Sequence, residues 1–517
     1  MSFTAIRPGL AATIGRPIDA WFDRERDGRA VAILLLLFVA VWTVFHVVAR
    51  ASVDLNPDMT EAYAWGRHPS AGYYKHPPLS ALMAAAWFAI FPAADWSFHL
   101  LAMVNAAIAL FAIDRIAKLY LSGDKRLLVL LFLLLMPFYQ FHSQRFGANP
   151  VLLATWPIAT YCFLRAFATR GLGWSVAAGV AAAAAMLGKY YSIFLIGAFV
   201  AAIVLHPARW TYLRSPSPWI SAIVGLLVLA PHLLWLKTAT LTPFEYAYLA
   251  HGRSTPSGII VSIGTYLLGG LAYVALPIAV YAIAVRPDRR LLAQTFWPSD
   301  PDRRMVVVLL AAQLLLPALS APFVGIELSS LWTMQSWFLL PIVLLMPEAA
   351  IVHRSRAVSV AALVAAISAF ALLAAAPAFA WLRHVHGSKH GEAYHRLLSD
   401  EIMREWHRYT DRPLTIVMGS GVEAITFYSP DHPDAQPDFN RNLAPWVTPD
   451  RLRREGYVVM CDNPICIDET NRRAATEPHA VRREYQLSRR YLGREGPPSF
   501  RFIVVVVPPA PPRDGPK

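Results

Sequence analysis

Ala30–Val48 reads AVAILLLLFVAVWTVFHVV, a run without Lys, Arg, Asp or Glu that follows directly on Arg24, Arg26 and Arg29. A helix rises about 1.5 Å per residue, so this run with its uncharged flanks approaches the ~20 residues needed to cross about 30 Å of hydrocarbon. Leu127–Met136 and Val358–Ala376 are runs of the same kind. Of 517 residues, 56% are hydrophobic and 16% charged, and mean hydropathy is +0.41. A soluble domain carries about a quarter charged residues. Buried helices of one large soluble protein do not account for so many apolar runs in succession. The sequence therefore predicts a polytopic α-helical membrane protein.

The formal net charge of +13 would suit a nucleic-acid partner, but its placement argues against one. Many of the basic residues stand in short connections between apolar runs, where they report orientation. Met1–Ala20 lacks the compact apolar core and small-residue cleavage site of a signal peptide. Ala30–Val48 then reads as a signal anchor with residues 1–29 in the cytoplasm. About eleven crossings are expected, near 30–50, 98–120, 127–143, 150–168, 173–188, 190–206, 218–236, 259–285, 305–322, 334–351 and 357–382. Alternate connections hold Arg115, Lys118, Lys125 and Arg126; Arg165 and Arg170; Arg209 and Arg214; Arg286, Arg289, Arg290, Arg303 and Arg304; and Arg354 and Arg356. The positive-inside rule makes these cytoplasmic. The periplasm of a bacterial inner membrane then receives 51–97, 144–149, the turn around 189, 237–258, 323–333 and the tail.

Residues 51–97 are too long for a turn, and connections of that length are usually functional. Their latter half, His76–Phe91, is apolar behind a Pro-Pro entrance and suits a helix lying at the interface. After the membrane domain 30–382, the tail 383–517 changes composition. Leu414–Met418, Tyr457–Cys461 and Phe500–Val507 read as buried strands, and Glu392–Tyr409 and Ala480–Tyr491 as helices. A small periplasmic α/β domain is expected. Cys461 and Cys466 are its cysteines, and an oxidising compartment favours a short bridge between them, with two free thiols as the alternative. Cys162 stands alone in a membrane helix.

The densest polar stretch of the membrane half is Asp54-Leu-Asn-Pro-Asp58-Met-Thr-Glu61-Ala-Tyr63-Ala-Trp65-Gly-Arg67-His68. If Asp58–Trp65 is helical, Asp58 and Glu61 share a face, while Tyr63 and Trp65 can anchor at headgroup depth. Two carboxylates beside Lys75 offer a base and a cation, as a reaction with a phosphate leaving group requires. An ordinary solvated loop with an aromatic belt is the competing reading.

Glu61-Ala-Tyr63-Ala-Trp65 followed by Gly72-Tyr73-Tyr74-Lys75-His76-Pro77-Pro78-Leu79 resembles the first outer loop of the protein O-mannosyltransferase superfamily. It is most similar to the bacterial branch with lipid A aminoarabinose transferases and rhizobial lipopolysaccharide galacturonosyltransferases. Phe146-Gly-Ala-Asn149-Pro150 and Gly188-Lys189-Tyr190-Tyr191-Ser192 are further matches, and the resemblance covers roughly residues 30–350. It implies the GT-C fold, a polyprenyl-phosphate sugar donor and a lipid or glycan acceptor such as lipopolysaccharide or lipid A. On the matched positions, Asp58 and Glu61 are the catalytic candidates. Lys75, Tyr63, Tyr74, His76, Asn149, Lys189 and Tyr190 are the substrate-binding ones. The family commonly places an acidic pair directly before Ala-Tyr; here Thr60 replaces the first acid, which leaves the base between Asp58 and Glu61. Relatives also carry an acid near Asn149, and an amide cannot take a proton. Lys75 matches the position that meets the donor phosphate, though a snorkelling lysine would look alike.

Lys189, between apolar helices, is a second phosphate ligand or a helix-end marker. His68, His76, His142 and His251 match no zinc spacing, so no metal and no cofactor are expected. Glu245, Tyr246, Tyr248, His251, Arg253, Glu327 and Gln335 are weaker contact candidates on outer segments. Met418-Gly-Ser-Gly-Val422 lacks both the Gly-x-Ser-x-Gly elbow and a Walker lysine and reads as a tight turn. The rival functions are a lipid-linked-sugar flippase and a non-catalytic envelope scaffold. No internal repeat of the transporter kind is visible.

Overall fold

The computed structural model describes residues 16–25, 28–239, 242–251, 255–387, 394–474, 477, 479–499 and 501–509. Residues 1–15, Arg26 and Arg253 lie outside them, as does the side chain of His251. Among the described residues, seven helices are long and apolar enough to cross a membrane: Arg29–Ala49, Asp95–Tyr120, Ala148–Thr169, Ser217–Thr238, Pro256–Val285, Pro301–Val324 and Arg354–His386. Each coincides with an expected crossing. Leu172–Gly188 and Tyr190–Leu205 are apolar but shorter; the 17 residues of the first reach about 25 Å.

The expected crossings at 127–143 and 334–351 are broken. The first is a helix, Asp124–Leu133, followed by a π-helical turn at Phe138–His142. The second has one 3₁₀ turn, Trp337–Leu339, leading into the short helix Leu340–Leu345, with a further 3₁₀ turn at Ser330–Thr333 just before it. Leu127–Leu133 and Leu339–Leu345 are buried throughout. These segments form the interior of the bundle, where protein surrounds the irregular backbone.

Two short helices follow the first crossing. Pro57–Gly66 starts on Asn56, whose Oδ1 accepts from Asp58 N, with Pro57 in the first turn where a missing N–H costs nothing. Leu79–Phe88 starts behind Pro77 and Pro78. The two pack so closely that a Cβ on Gly66 would lie 2.8 Å from the Ala81 carbonyl oxygen. From sequence, the first is considered as a helix over Asp58–Trp65 and the second as an apolar helix after Pro-Pro.

The tail is an α/β domain. Strands β1 (Ile416–Gly419), β2 (Asp434–Pro437), β3 (Tyr457–Cys461), β4 (Val481–Tyr485) and β7 (Phe502–Val507) form a sheet in the order β2-β1-β3-β7-β4. β1 runs parallel to β2 and β3, while β7 is antiparallel to β3 and β4. β5 (Ser488–Tyr491) and β6 (Arg494–Pro498) make a separate hairpin. Three expected strands are present, and the expected helix at 392–409 is His395–Trp406. The expected helix at Ala480–Tyr491 is instead β4 and β5. Its Arg, Glu, Gln and Leu favour helix locally, but fully apolar β7 offers a free edge that β4 covers, and side chains along β4 alternate in burial. Leu492 and Gly493 both have positive φ, 49° and 78°, and close the β5–β6 hairpin in two residues. Cys461 and Cys466 are bridged and Cys162 is free and buried. Gly419 (φ 116°) and Gly421 (φ 63°) make the expected tight turn after β1.

The tail docks on the connection 51–94 between the first two long apolar helices. Helix Val422–Tyr428 packs on Pro57–Gly66, with Phe427 edge-on to Tyr63 at 5.0 Å. Leu55 N donates to Tyr428 Oη at 2.7 Å. Buried Asp54 accepts from Arg396 N and pairs with Arg489. His68 Nε2 donates to Asp434 Oδ1 at 2.7 Å and its ring stacks on Trp446 at 4.3 Å. His68 is therefore a docking residue.

Candidate active site

The helix Pro57–Gly66 presents Asp58 and Glu61 on one face, as their spacing predicts. Lys75 Nζ lies 3.0 Å from Glu61 Oε2, 3.3 Å from its Oε1, and 3.6 Å from Asp58 Oδ1. The Asp58 side chain is 56% exposed and that of Glu61 12%. Burial pushes the Glu61 carboxyl up to about 8, with Lys75 pulling the other way and Glu423 and Asp58 adding to the rise. Burial disfavours the Lys75 ammonium, yet Glu61 and Asp58 together hold it above the usual lysine range.

This triad divides two spaces. On one side is a polar cavity of about 80 Å³, walled by Asp58, Glu61, Trp65, His76, Arg145 and Asn149. On the other is a groove of about 200 Å³ with an apolar body, including Pro243, Val324, Leu328 and Trp332, and with Lys75 and Lys189 among its lining residues. His76 borders both. Burial, with Lys189 and Lys75 nearby, holds its imidazole well below the usual range, so it faces both spaces as a neutral ring.

Lys189 Nζ donates to Asn149 Oδ1 at 2.7 Å and lies 5.0 Å from the centre of the Trp332 ring. Burial brings this ammonium down to about 8. Tyr190 lines the groove and stacks on Phe244 at 4.6 Å. Its hydroxyl is 2.6 Å from His232 Nε2, and His232 Nδ1 is 2.7 Å from the Ala71 carbonyl oxygen. A carbonyl only accepts, so Nδ1 carries the proton and Nε2 accepts from Tyr190. This relay ties the first outer loop to the helix Ser217–Thr238. Tyr74 stands edge-on to Trp65 and Tyr246, at 5.8 and 6.2 Å.

The structure thus brings Asp58, Glu61, Lys75, Tyr74, His76, Asn149, Lys189 and Tyr190 together. Tyr74 lines neither space itself but meets Trp65 and Tyr246 of their walls. Tyr63 is the exception, 7% exposed, with its ring between Phe88 and Phe427 and lining neither space. Its role there is packing. Among the weaker candidates, Tyr246 lines the groove and its ring lies 5.8 Å from Lys75 Nζ. Glu245 accepts from Thr242 N at the start of its own helix, Tyr248 is exposed, and Gln335 Nε2 donates to the Trp332 carbonyl oxygen. Glu327 Oε1 approaches Gly258 at the start of Pro256–Val285.

Three residues of this region were not singled out in the sequence. Arg145 lines the polar cavity directly before the matched Phe146–Pro150 stretch, and that position was its one available signal. Glu423 and Asp438 come from the tail. The charge of Glu423 is felt at Glu61 and Tyr74, and that of Asp438 at Tyr74 and Glu423. Burial raises both carboxyls.

The architecture is similar to that in the crystal structure of ArnT from Cupriavidus metallidurans bound to undecaprenyl phosphate. The TM-score is 0.60 at 15% identity, covering 92% of this chain and 98% of that one. The chain has the GT-C fold. The apo structure of the same protein matches equally, with a TM-score of 0.59 at 14% identity and the same coverage. Residues 75–235 of this GT-C chain match the family described as dolichyl-phosphate-mannose-protein mannosyltransferase. The chain is also similar to the lipopolysaccharide core galacturonosyltransferase RgtB of Rhizobium johnstonii, 26% identical over 336 residues and 62% of this chain. It spans 65% of the length of that relative. The GT-C branch suggested by the first-loop residues is therefore the one that both sequence and fold comparisons reach.

Proposed function

We propose that this GT-C protein transfers a sugar from a polyprenyl-phosphate donor to an envelope glycan or lipid, with lipopolysaccharide or lipid A as the favoured acceptor. The observation that carries this reading is the Asp58–Glu61–Lys75 triad, placed where a small polar cavity meets an apolar groove. The groove suits a lipid chain, Lys75 and Lys189 suit its phosphate, and the polar cavity suits the sugar. Functional loops facing the periplasm, a cytoplasmic N-terminus and a periplasmic tail complete the reading, in agreement with the placement of Lys and Arg.

In this mechanism Asp58, the more exposed carboxylate, takes the proton of the acceptor hydroxyl or amine as it attacks the anomeric carbon. The bond from that carbon to the phosphate oxygen breaks, and polyprenyl phosphate leaves against Lys75. Fixed positive charge acts where negative charge develops. Glu61 orients Lys75 and, with a carboxyl protonated below about pH 8, limits how far that ammonium is neutralised. One displacement gives inversion.

The test is reconstitution of the purified protein with radiolabelled polyprenyl-phosphate sugars and an outer-membrane lipid extract. Wild type should release polyprenyl phosphate and label the extract, and Asp58→Asn should lose about 10²–10⁴-fold of the rate. Donor moved between leaflets without being consumed would instead establish a flippase. Full activity in both Asp58→Asn and Glu61→Gln would sink the mechanism.

A further inference from the structure

The tail contains a cavity of its own, about 910 Å³, that the transfer reaction as described does not use. Its position follows from topology. The chain leaves β1 to form β2 on one side and later β3 on the other, so the connections diverge at the carboxyl ends of three parallel strands. Open α/β sheets bind ligands in such a crevice. The cavity touches Met418 of β1, Gln436 of β2 and Asn463 just past β3.

Gln436 is 1% exposed, and neither its Oε1 nor its Nε2 has a hydrogen-bond partner. Leaving such groups unpaired costs about 1–3 kcal/mol each, and native proteins seldom keep them unless something else satisfies them. The loop after β2 adds Asp438, Asn440 and Asn442 to the same cavity. Arg441, Arg472 and Glu469 line it too, so amides and charges of both signs supply donors and acceptors without a dominant charge, the pattern that vicinal hydroxyls satisfy. The charge of Asp438 is also felt at Glu423 and Tyr74, and that of Glu423 at Glu61.

We infer that the tail cavity binds a saccharide, the glycan part of the acceptor, through Gln436, Asp438, Asn440 and Asn442. This rests on the transferase reading above, but binding and transfer are measured separately.

The experiment is calorimetric titration of the full chain in nanodiscs with a core oligosaccharide released from lipopolysaccharide by mild acid and dephosphorylated. Wild type should bind saturably. Gln436→Leu, close in volume, and Asn440→Ala, less buried and chosen in case the first fails to fold, should each weaken binding at least tenfold. Asp58→Asn should bind as wild type does while transferring nothing. No binding by wild type, or equal binding by both tail variants, would overturn the inference, as would displacement of the sugar by equimolar inorganic phosphate. Binding without any donor consumption by wild type would leave the tail site standing and remove the transferase.

Discussion

Lys75 Nζ is shared between two carboxylates one helical turn apart, at 3.0 Å from Glu61 and 3.6 Å from Asp58. Below about pH 8 the Glu61 carboxyl is protonated, so Lys75→Ala leaves no buried charge there and removes the cation that faces the donor phosphate. A fall of about 10²–10³-fold in kcat is expected. Single-turnover measurement of polyprenyl phosphate release checks it, and Lys75→Ala with undiminished kcat would remove the cation from the mechanism.

The pH dependence has a definite sign. Glu61 is held near 8, above its ordinary value of 4.5. Below about pH 8 it is protonated and leaves Lys75 its charge for the donor phosphate. Above that, the ionised carboxylate competes for the ammonium. Donor KM should rise as pH passes through 8, where the Lys189 ammonium also loses its proton. Glu61→Gln should shrink the inflection to the part that Lys189 contributes, and an inflection undiminished in Glu61→Gln would remove Glu61 from it. The same shift means that the folded state holds an extra proton between about pH 4.5 and 8, so this group's contribution to stability is lost as pH rises through that window.

Asn149 accepts from Lys189 without neutralising it. Asn149→Asp would place a full negative charge 2.7 Å from that ammonium. Donor binding should weaken about tenfold, or about 1.4 kcal/mol, and Lys189→Met should weaken it to a similar extent. Equilibrium binding of polyprenyl phosphate is the readout. If Asn149→Asp binds as tightly as wild type, Lys189 does not meet the phosphate.

Tyr63 separates packing from chemistry. Tyr63→Phe should keep near-full activity, because the ring sits between Phe88 and Phe427 away from both spaces. Tyr63→Ala should destabilise the junction with the tail by about 3–5 kcal/mol, seen as a lowered Tm and easier proteolysis of the tail. Loss of activity in Tyr63→Phe with unchanged Tm would return this tyrosine to the site.

Gly419→Ala should be damaging for another reason. At φ 116° a side chain is strained, and its Cβ would lie 2.1 Å from the Met460 carbonyl oxygen. Strain alone is worth about 1–3 kcal/mol, and the clash adds to it. Far-UV circular dichroism with thermal melting checks the loss, which a wild-type Tm would contradict.

The membrane helices and the first outer loop were legible because their signals are local. Uncharged runs, Pro77-Pro78 and the three-residue spacing of Asp58 and Glu61 need no distant contact to act. The tail was harder. Ala480–Tyr491 has helix-forming composition, and only the edge of β7 makes part of it a strand. Tyr63 lies in the matched motif, yet its direction depends on Phe427, far along the chain. Glu423 and Asp438 reach the site only after the tail folds back on Pro57–Gly66, and nothing in their neighbourhood announces this. The broken segments at 127–143 and 334–351 look like ordinary crossings to a hydropathy reading, because burial in protein and burial in lipid call for the same residues.

The Cys461–Cys466 bridge closes the end of β3, and Cys466 also lines the tail cavity. Such a bond persists chiefly in an oxidising compartment, so under the proposed periplasmic placement of the tail it works as a compass. A molecule threaded the wrong way round would expose these two sulfurs to a reducing cytosol and carry them as thiols. The fraction of chains whose tail resists alkylation then counts, molecule by molecule, how many were inserted the right way up.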